Sequence, residues 1–218
     1  MYFSSRSQAG KILANRLVNK YRYENCAVVA LNEGGVIVGA QIAKSLHCVI
    51  NLLISEEISL PREPLAIGGI TSDGNFSFNS EYSESSIEEL NDEYRGLIEE
   101  EKIASISDMN KIIGSEGLIS KDLLKGRNII LVSDGLETTM SLDLAFQYLK
   151  PIKTEKLIVA TPLASVKVVD WMHVYADDIY CITVLEDYMD TNHYYDKNDL
   201  PTSKKIRDTI SNIVLKWK

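Results

Sequence analysis

The run Ile129-Ile130-Leu131-Val132-Ser133-Asp134-Gly135-Leu136-Glu137-Thr138-Thr139-Met140-Ser141 constrains the fold more than any other part of the chain. Four apolar residues in succession suit a parallel strand buried on both faces. A short polar turn follows, and then Leu142, Ala145, Phe146 and Leu149 recur at helical spacing. A strand that ends in an acidic turn and runs straight into a helix presents the free N–H groups of the first helical turn to an anion. A nearby carboxylate can then hold hydroxyl groups.

The rest of the chain alternates in the same manner. Ser7 to about Asn19 reads as a helix, with Ala9, Leu13 and Leu17 on one face. Ala27–Leu31 is a short apolar strand, Gly34-Gly35 breaks the chain, and Val36 to Leu46 resumes as a helix. Cys48–Ile54 is a further apolar strand. After a turn containing Pro61 and Pro64, Ala66–Thr71 and Asn75–Asn79 flank Asp73-Gly74, a hairpin signal. Ser86 to about Ile113 is a long polar helical stretch whose stripe is Ile87, Leu90, Tyr94 and Leu97, punctuated by Gly114 and Gly117. Strands at Leu157–Thr161, before Pro162, and at Ile179–Val184 enclose a helix around Ala164–His173. An aromatic and acidic loop from Leu185 to Pro201 leads to a terminal amphipathic helix. Its apolar side is Ile206, Ile210, Ile213, Val214 and Trp217, opposite Lys204, Lys205, Arg207, Lys216 and Lys218. Strands alternating with helices imply an α/β fold with a mainly parallel sheet and helices on both faces.

At 218 residues, 45% apolar and 25% charged, the chain suits one globular domain covering residues 1–218. No apolar run reaches the ~18–20 residues that span a bilayer, and Met1-Tyr2-Phe3-Ser4-Ser5-Arg6 lacks the apolar core of a signal peptide. Cys26, Cys48 and Cys181 are widely spaced in apolar surroundings, which suits reduced, buried thiols and a cytoplasmic setting. A net charge of −8 argues against nucleic acid as a partner. It leaves room for a small phosphorylated ligand. His47, His173 and His193 are scattered, with no acid or cysteine at metal-ligand spacing, so no protein metal site is expected.

Five segments, in order, resemble a group of bacterial phosphoribosyltransferases of the type I family. Phe3, Arg6, Ala9-Gly10 and Leu13-Ala14 resemble its opening motif, and Ala30-Leu31-Asn32-Glu33-Gly34-Gly35-Val36 its pyrophosphate loop. Ala66-Ile67-Gly68 and the hairpin to Asn79 resemble the start of its hood. Ser133-Asp134-Gly135-Leu136-Glu137-Thr138 resembles its phosphoribosyl-pyrophosphate loop, and Tyr188 with Tyr194-Tyr195-Asp196 its closing aromatic segment. The resemblance implies a central, mainly parallel sheet of about five strands. A small hood or flexible region would span roughly residues 55–115. It also implies transfer or binding of a phosphoribosyl group with a nucleobase-like acceptor. Mg²⁺ would arrive with phosphoribosyl pyrophosphate, a nucleoside monophosphate would be the related ligand, and a homodimer is compatible with the family.

Carried onto this chain, the resemblance makes Asp134 the holder of a ribose hydroxyl and, with Glu137, a catalytic candidate. Ser133, Asp134, Gly135, Leu136, Glu137, Thr138, Thr139, Met140 and Ser141 would form the phosphate and ribose loop. Asn32, Glu33, Gly34 and Gly35 would form the pyrophosphate loop. Three departures stand out: Glu33 where the group has Arg, Ser133 where it has a second acid, and Thr139-Met140 where it has Gly-Ala. They leave two rival readings. One is a catalytically inactive homologue that binds a nucleotide, a phosphosugar or a partner protein in a regulatory role. The other is a hydrolase acting on a phosphorylated ligand.

Overall fold

The structure is a computed structural model that describes residues 2–114, 121–198 and 200–215. Gly117, Lys216, Trp217 and Lys218, and the side chain of Val214, lie outside the described residues. In chain order the elements are α1 (Arg6–Tyr21), β1 (Cys26–Ala30), α2 (Glu33–Leu46), β2 (Val49–Leu52), β3 (Ser55–Ile58), β4 (Gly68–Thr71), β5 (Phe76–Phe78) and α3 (Glu84–Ile113). They continue with β6 (Asn128–Val132), α4 (Met140–Leu149), β7 (Lys156–Ser165), α5 (Val166–Tyr175), β8 (Asp178–Leu185) and α6 (Ser203–Leu215).

Five strands form a parallel sheet in the order β2-β1-β6-β7-β8. The expected parallel neighbours β1, β6 and β7 are adjacent, with Val28 opposite Ile130 and Ile130 opposite Ile158. Alternation along each strand splits the apolar runs between two cores. Val28, Ile50, Ile130 and Ile158 pack with Leu13, Leu17, Val38 and Ile42 of α1 and α2. Val29, Ile129, Leu131 and Val159 pack with Leu142, Ala145 and Leu149 of α4 and with Val168 and Met172 of α5. Burial on both faces is the reason these strands read as unbroken apolar runs.

From β1 the chain turns towards β2, and from β6 towards β7. Because both crossovers keep the right-handed sense, α2 and α4 leave the sheet on opposite faces. The carboxyl ends of β1 and β6 therefore diverge, and a crevice opens between them. In open α/β sheets this reversal of strand order is where ligands bind.

The second sheet, β3-β4-β5, is antiparallel and small. With α3 it occupies the region expected to form the hood. Met140 and Leu144 of α4 approach Gly69 of β4, which seats this sheet over the start of α4. α3 has non-helical backbone angles at Tyr94 (φ −111°, ψ 16°), so the single expected helix is kinked. Its buried residues are Ile98, Ser105 and Met109, with Leu90, Tyr94 and Leu97 only partly covered.

Four expectations need correction. Gly34 and Gly35 lie within the first turn of α2 and do not break the chain before it. β3 is a short strand with two glutamates, Glu56 and Glu57, which gave no apolar alternation to detect. β7 runs through Pro162 to Ser165. A proline is tolerated there because pairing with β6 ends at Ala160, so the missing N–H falls beyond that ladder. Cys181 is only half-buried, whereas Cys26 and Cys48 are buried as expected.

Ile130 is fully buried at the centre of the sheet. Ile130→Ala should cost about 2–5 kcal/mol through lost burial and the cavity left behind. Urea unfolding followed by circular dichroism should show a lower midpoint with an unchanged slope.

Candidate functional site

The β1 and β6 ends are joined by a buried polar network whose centre is Asp134. The Nε of Arg6 donates to Asp134 Oδ2 at 2.6 Å, with side-chain exposures of 1% and 5%. Asn32 Nδ2 donates to the other oxygen, Oδ1, at 2.8 Å and to Ser133 Oγ at 3.1 Å. Tyr195 Oη donates to the Asp134 backbone carbonyl at 2.6 Å. The Arg6 guanidinium also donates to Asn192 Oδ1 at 2.6 Å and lies 4.5 Å from the centre of the Tyr195 ring. Four segments distant in sequence thus meet at one carboxylate.

Local sequence explains each contribution. Arg6 opens α1 on the stripe Arg6, Ala9, Gly10, Leu13, Ala14, Leu17, which is buried throughout. A cation on that stripe must find a carboxylate inside the protein, since an unpaired buried charge is costly. Asn32 caps α2, its Oδ1 accepting from Gly35 N at 2.6 Å. That bond fixes the amide so that its N–H₂ points at Asp134. Gly34 is required by the same packing: a Cβ there would lie 2.0 Å from Asp134 Oδ2. The closing aromatic segment seats against the loop in a similar way, since a Cβ on Gly135 would lie 2.2 Å from Tyr188 Oη. Burial, and then the charge of Asp134, pushes the Tyr195 phenol well above its ordinary value. Burial does the same for Tyr188, so both phenols are donors at neutral pH.

Beyond the network lies a cavity of ≈ 330 Å³. Asn32, Ser133, Gly135, Leu136, Glu137, Thr138 and Ser141 line it, together with Leu31, Ser55, Glu57 and Thr191. A second cavity of ≈ 280 Å³, towards the β3-β4-β5 sheet, shares Glu57, Glu137 and Thr138 with the first and adds Thr139 and Met140. Asp134 is not among the lining residues of either cavity, and its carboxylate is bonded to Arg6 and Asn32. Glu33, Gly34 and Gly35 line neither cavity, and burial raises the Glu33 carboxyl above its usual value.

The loop from β6 to α4 is held from below. Leu136 N donates to Leu163 O at 3.0 Å, Ser165 N to Leu136 O at 2.9 Å, and Ser165 Oγ to Glu137 O at 2.7 Å. The extension of β7 past Pro162 supplies these contacts. Thr138 Oγ1 donates to Glu57 Oε1 at 2.6 Å, tying the loop to β3. At the start of α4, Thr139 bonds Asp143 through its hydroxyl and makes no side-chain cap bond to the helix amides. The first turn of α4 thus has no side-chain cap from its N-cap residue.

Sequence reading placed the loop but gave Arg6 and Tyr195 no role in it, and it missed Glu57, Thr191 and Asn192. Only Arg6 carried a local signal, as the single charged residue on an otherwise apolar helical stripe. His193 lies 2.9 Å from Tyr2 Oη through its Nε2. Burial pushes Cys48 up to about 12, and Cys26 and Cys181 up to about 11, which makes all three thiols poor nucleophiles.

No family model matches the chain. A Mycobacterium tuberculosis protein, found in two strains under the name "Putative phosphoribosyl transferase", is 26% identical over 189 residues. The match covers 83% of this chain and 40% of that protein, so the chain spans about two fifths of the length of these curated relatives. Among solved structures, a Thermus thermophilus protein superposes with a TM-score of 0.72 at 23% identity, covering 100% of this chain and 99% of that one. A Staphylococcus aureus hypoxanthine phosphoribosyltransferase superposes with a TM-score of 0.50 at 13% identity, over 86% and 78% of the two chains. The fold is phosphoribosyltransferase-like, and the curated relatives carry the phosphoribosyl transferase name.

Asp134→Asn should leave Arg6 charged and buried without a counter-ion, at a cost of about 3–5 kcal/mol. Adding Arg6→Met should recover part of the loss. A double-mutant cycle by chemical denaturation reads the difference as coupling between the two residues.

Proposed function

We propose that the chain transfers a phosphoribosyl group from phosphoribosyl pyrophosphate to a nucleobase-like nitrogen acceptor. One observation carries this reading: the uncapped first turn of α4 opens on the ≈ 330 Å³ cavity at the sheet's switch point. The 5′-phosphate would sit on the α4 amides and on the hydroxyls of Thr138 and Ser141, where helix N–H groups favour an anion. The ribose would lie beside Ser133 and Glu137, with Asp134 holding the loop in place from behind through Arg6 and Asn32.

Among the described residues neither cavity is lined by Lys or Arg, while both are lined by Glu57 and Glu137. A bare pyrophosphate would be repelled there, and its Mg²⁺ complex would not. Mg²⁺ commonly binds through one or two carboxylates plus substrate phosphates, so this donor set fits it. Bound, the ion would neutralise the charge of the leaving pyrophosphate.

The chain's own residues would do the rest. As the C1′–O bond breaks, pyrophosphate leaves with the electron pair and C1′ becomes oxocarbenium-like. The acceptor nitrogen then forms the new bond to C1′ and gives up its proton. Glu137 is exposed and lines both cavities, which puts its carboxylate in position to take that proton as general base. The three unreactive thiols suit a reducing compartment, and we assign the protein to the cytoplasm.

Isothermal titration with Mg²⁺ and phosphoribosyl pyrophosphate, and separately with ribose 5-phosphate, tests the reading. Both should bind. Ser141→Ala should weaken both by about 0.5–1.5 kcal/mol, the net worth of one hydrogen bond. Glu137→Gln should leave ribose 5-phosphate binding in place. It should lower pyrophosphate release in the presence of acceptor by about 10²–10⁴-fold, so that kcat falls much more than KM rises.

A further inference from the structure

The second cavity is built differently from the first, and its chemistry speaks to what enters it. On the hood side Pro64, Leu65 and Ala66 line it, and on the α4 side Met140 does, so part of an otherwise polar wall is apolar. Several of its polar groups are spent or are acceptors only. The Asn79 amide is used within the hood, its Nδ2 donating to Ala66 O at 3.0 Å and its Oδ1 accepting from Glu81 N at 3.0 Å. Glu81 is ion-paired with Lys167. Glu57 and Glu137 have no ion pair among the described residues, and an ionised carboxylate can only accept.

We infer that this cavity selects an acceptor whose ring edge carries N–H donors, such as an amino-substituted purine or pyrimidine, and rejects bases that carry a carboxylate. The inference rests on the proposed phosphoribosyl reading of the first cavity. A base with an exocyclic amino group can donate to Glu57 while its ring rests on the apolar part of the lining. A carboxylated base would bring a like charge towards Glu57 and Glu137, with no cation among the described lining residues to offset it. Glu57 has a second tie: it holds Thr138 of the phosphate loop, so one carboxylate faces both the acceptor slot and the loop. Filling the slot would therefore be sensed directly at the phosphate site.

Three ligands that share one ribose 5-phosphate separate the two cavities by isothermal titration. Ribose 5-phosphate reads the first cavity alone, while adenosine monophosphate and orotidine monophosphate add a base to the second. Adenosine monophosphate should bind more tightly than ribose 5-phosphate, and orotidine monophosphate at least roughly tenfold more weakly than adenosine monophosphate. Glu57→Gln keeps an oxygen to accept from Thr138 but removes the charge, and should narrow that ratio by roughly fivefold. Glu88→Gln, an exposed charge of α3 outside both cavities, should leave the ratio unchanged, which separates local repulsion from the net charge of −8. If ribose 5-phosphate binds but orotidine monophosphate equals or exceeds adenosine monophosphate, the inference is overturned and the phosphoribosyl reading stands. An equal narrowing by Glu88→Gln overturns it too. If none of the three binds, both fall together.

Discussion

The guanidinium of Arg6 and the carboxylate of Asp134 meet at 2.6 Å in the interior, and the rest of the site takes its positions from that contact. Two charges removed from water must satisfy each other and their remaining hydrogen-bonding capacity, or the fold is penalised by several kcal/mol. Asn32 completes Asp134 on one side and Asn192 completes Arg6 on the other. In doing so they bring the start of α1, the cap of α2, the end of β6 and the aromatic segment after β8 to one point. The carboxylate of Asp134 is bonded on one oxygen by Arg6 and on the other by Asn32.

The location of that anchor follows from topology. Right-handed crossovers in opposite directions send α2 and α4 to opposite faces, and the gap between their first turns is unavoidable. Polar residues collect there because no helix covers the strand ends. α2 closes its own first turn with Asn32, whereas α4 leaves its first turn without a side-chain cap. The difference makes the α4 side the receptive one.

Charge then narrows the chemistry. Glu57 enters from β3, a strand of the small antiparallel sheet, and shares two cavities with Glu137 from the β6–α4 loop, neither lined by lysine or arginine among the described residues. Such a lining disfavours a naked polyanion. On the proposed reading it would suit a metal-complexed phosphate on one side and a donor-bearing ring on the other. The hydrogen bond from Thr138 to Glu57 connects the two sides directly.

The α/β class, the parallel core strands, the hairpin at Asp73-Gly74 and the strand-to-helix turn after Val132 were all legible in the amino-acid sequence. Each is governed by local periodicity, turn chemistry or an apolar run. The resemblance to phosphoribosyltransferases was legible for the same reason, since it is carried by short contiguous motifs. What only the tertiary structure decided is which polar groups face inward. Asp134 and Glu137 are three residues apart in one loop, yet the first is buried against Arg6 and the second is exposed to both cavities. No local pattern distinguishes them. Their roles depend on a cation 128 residues upstream of Asp134 and on a glutamate from a strand too short and too polar to be seen in advance. Electrostatic partners act through space, and the distance along the chain between them carries no periodic signal.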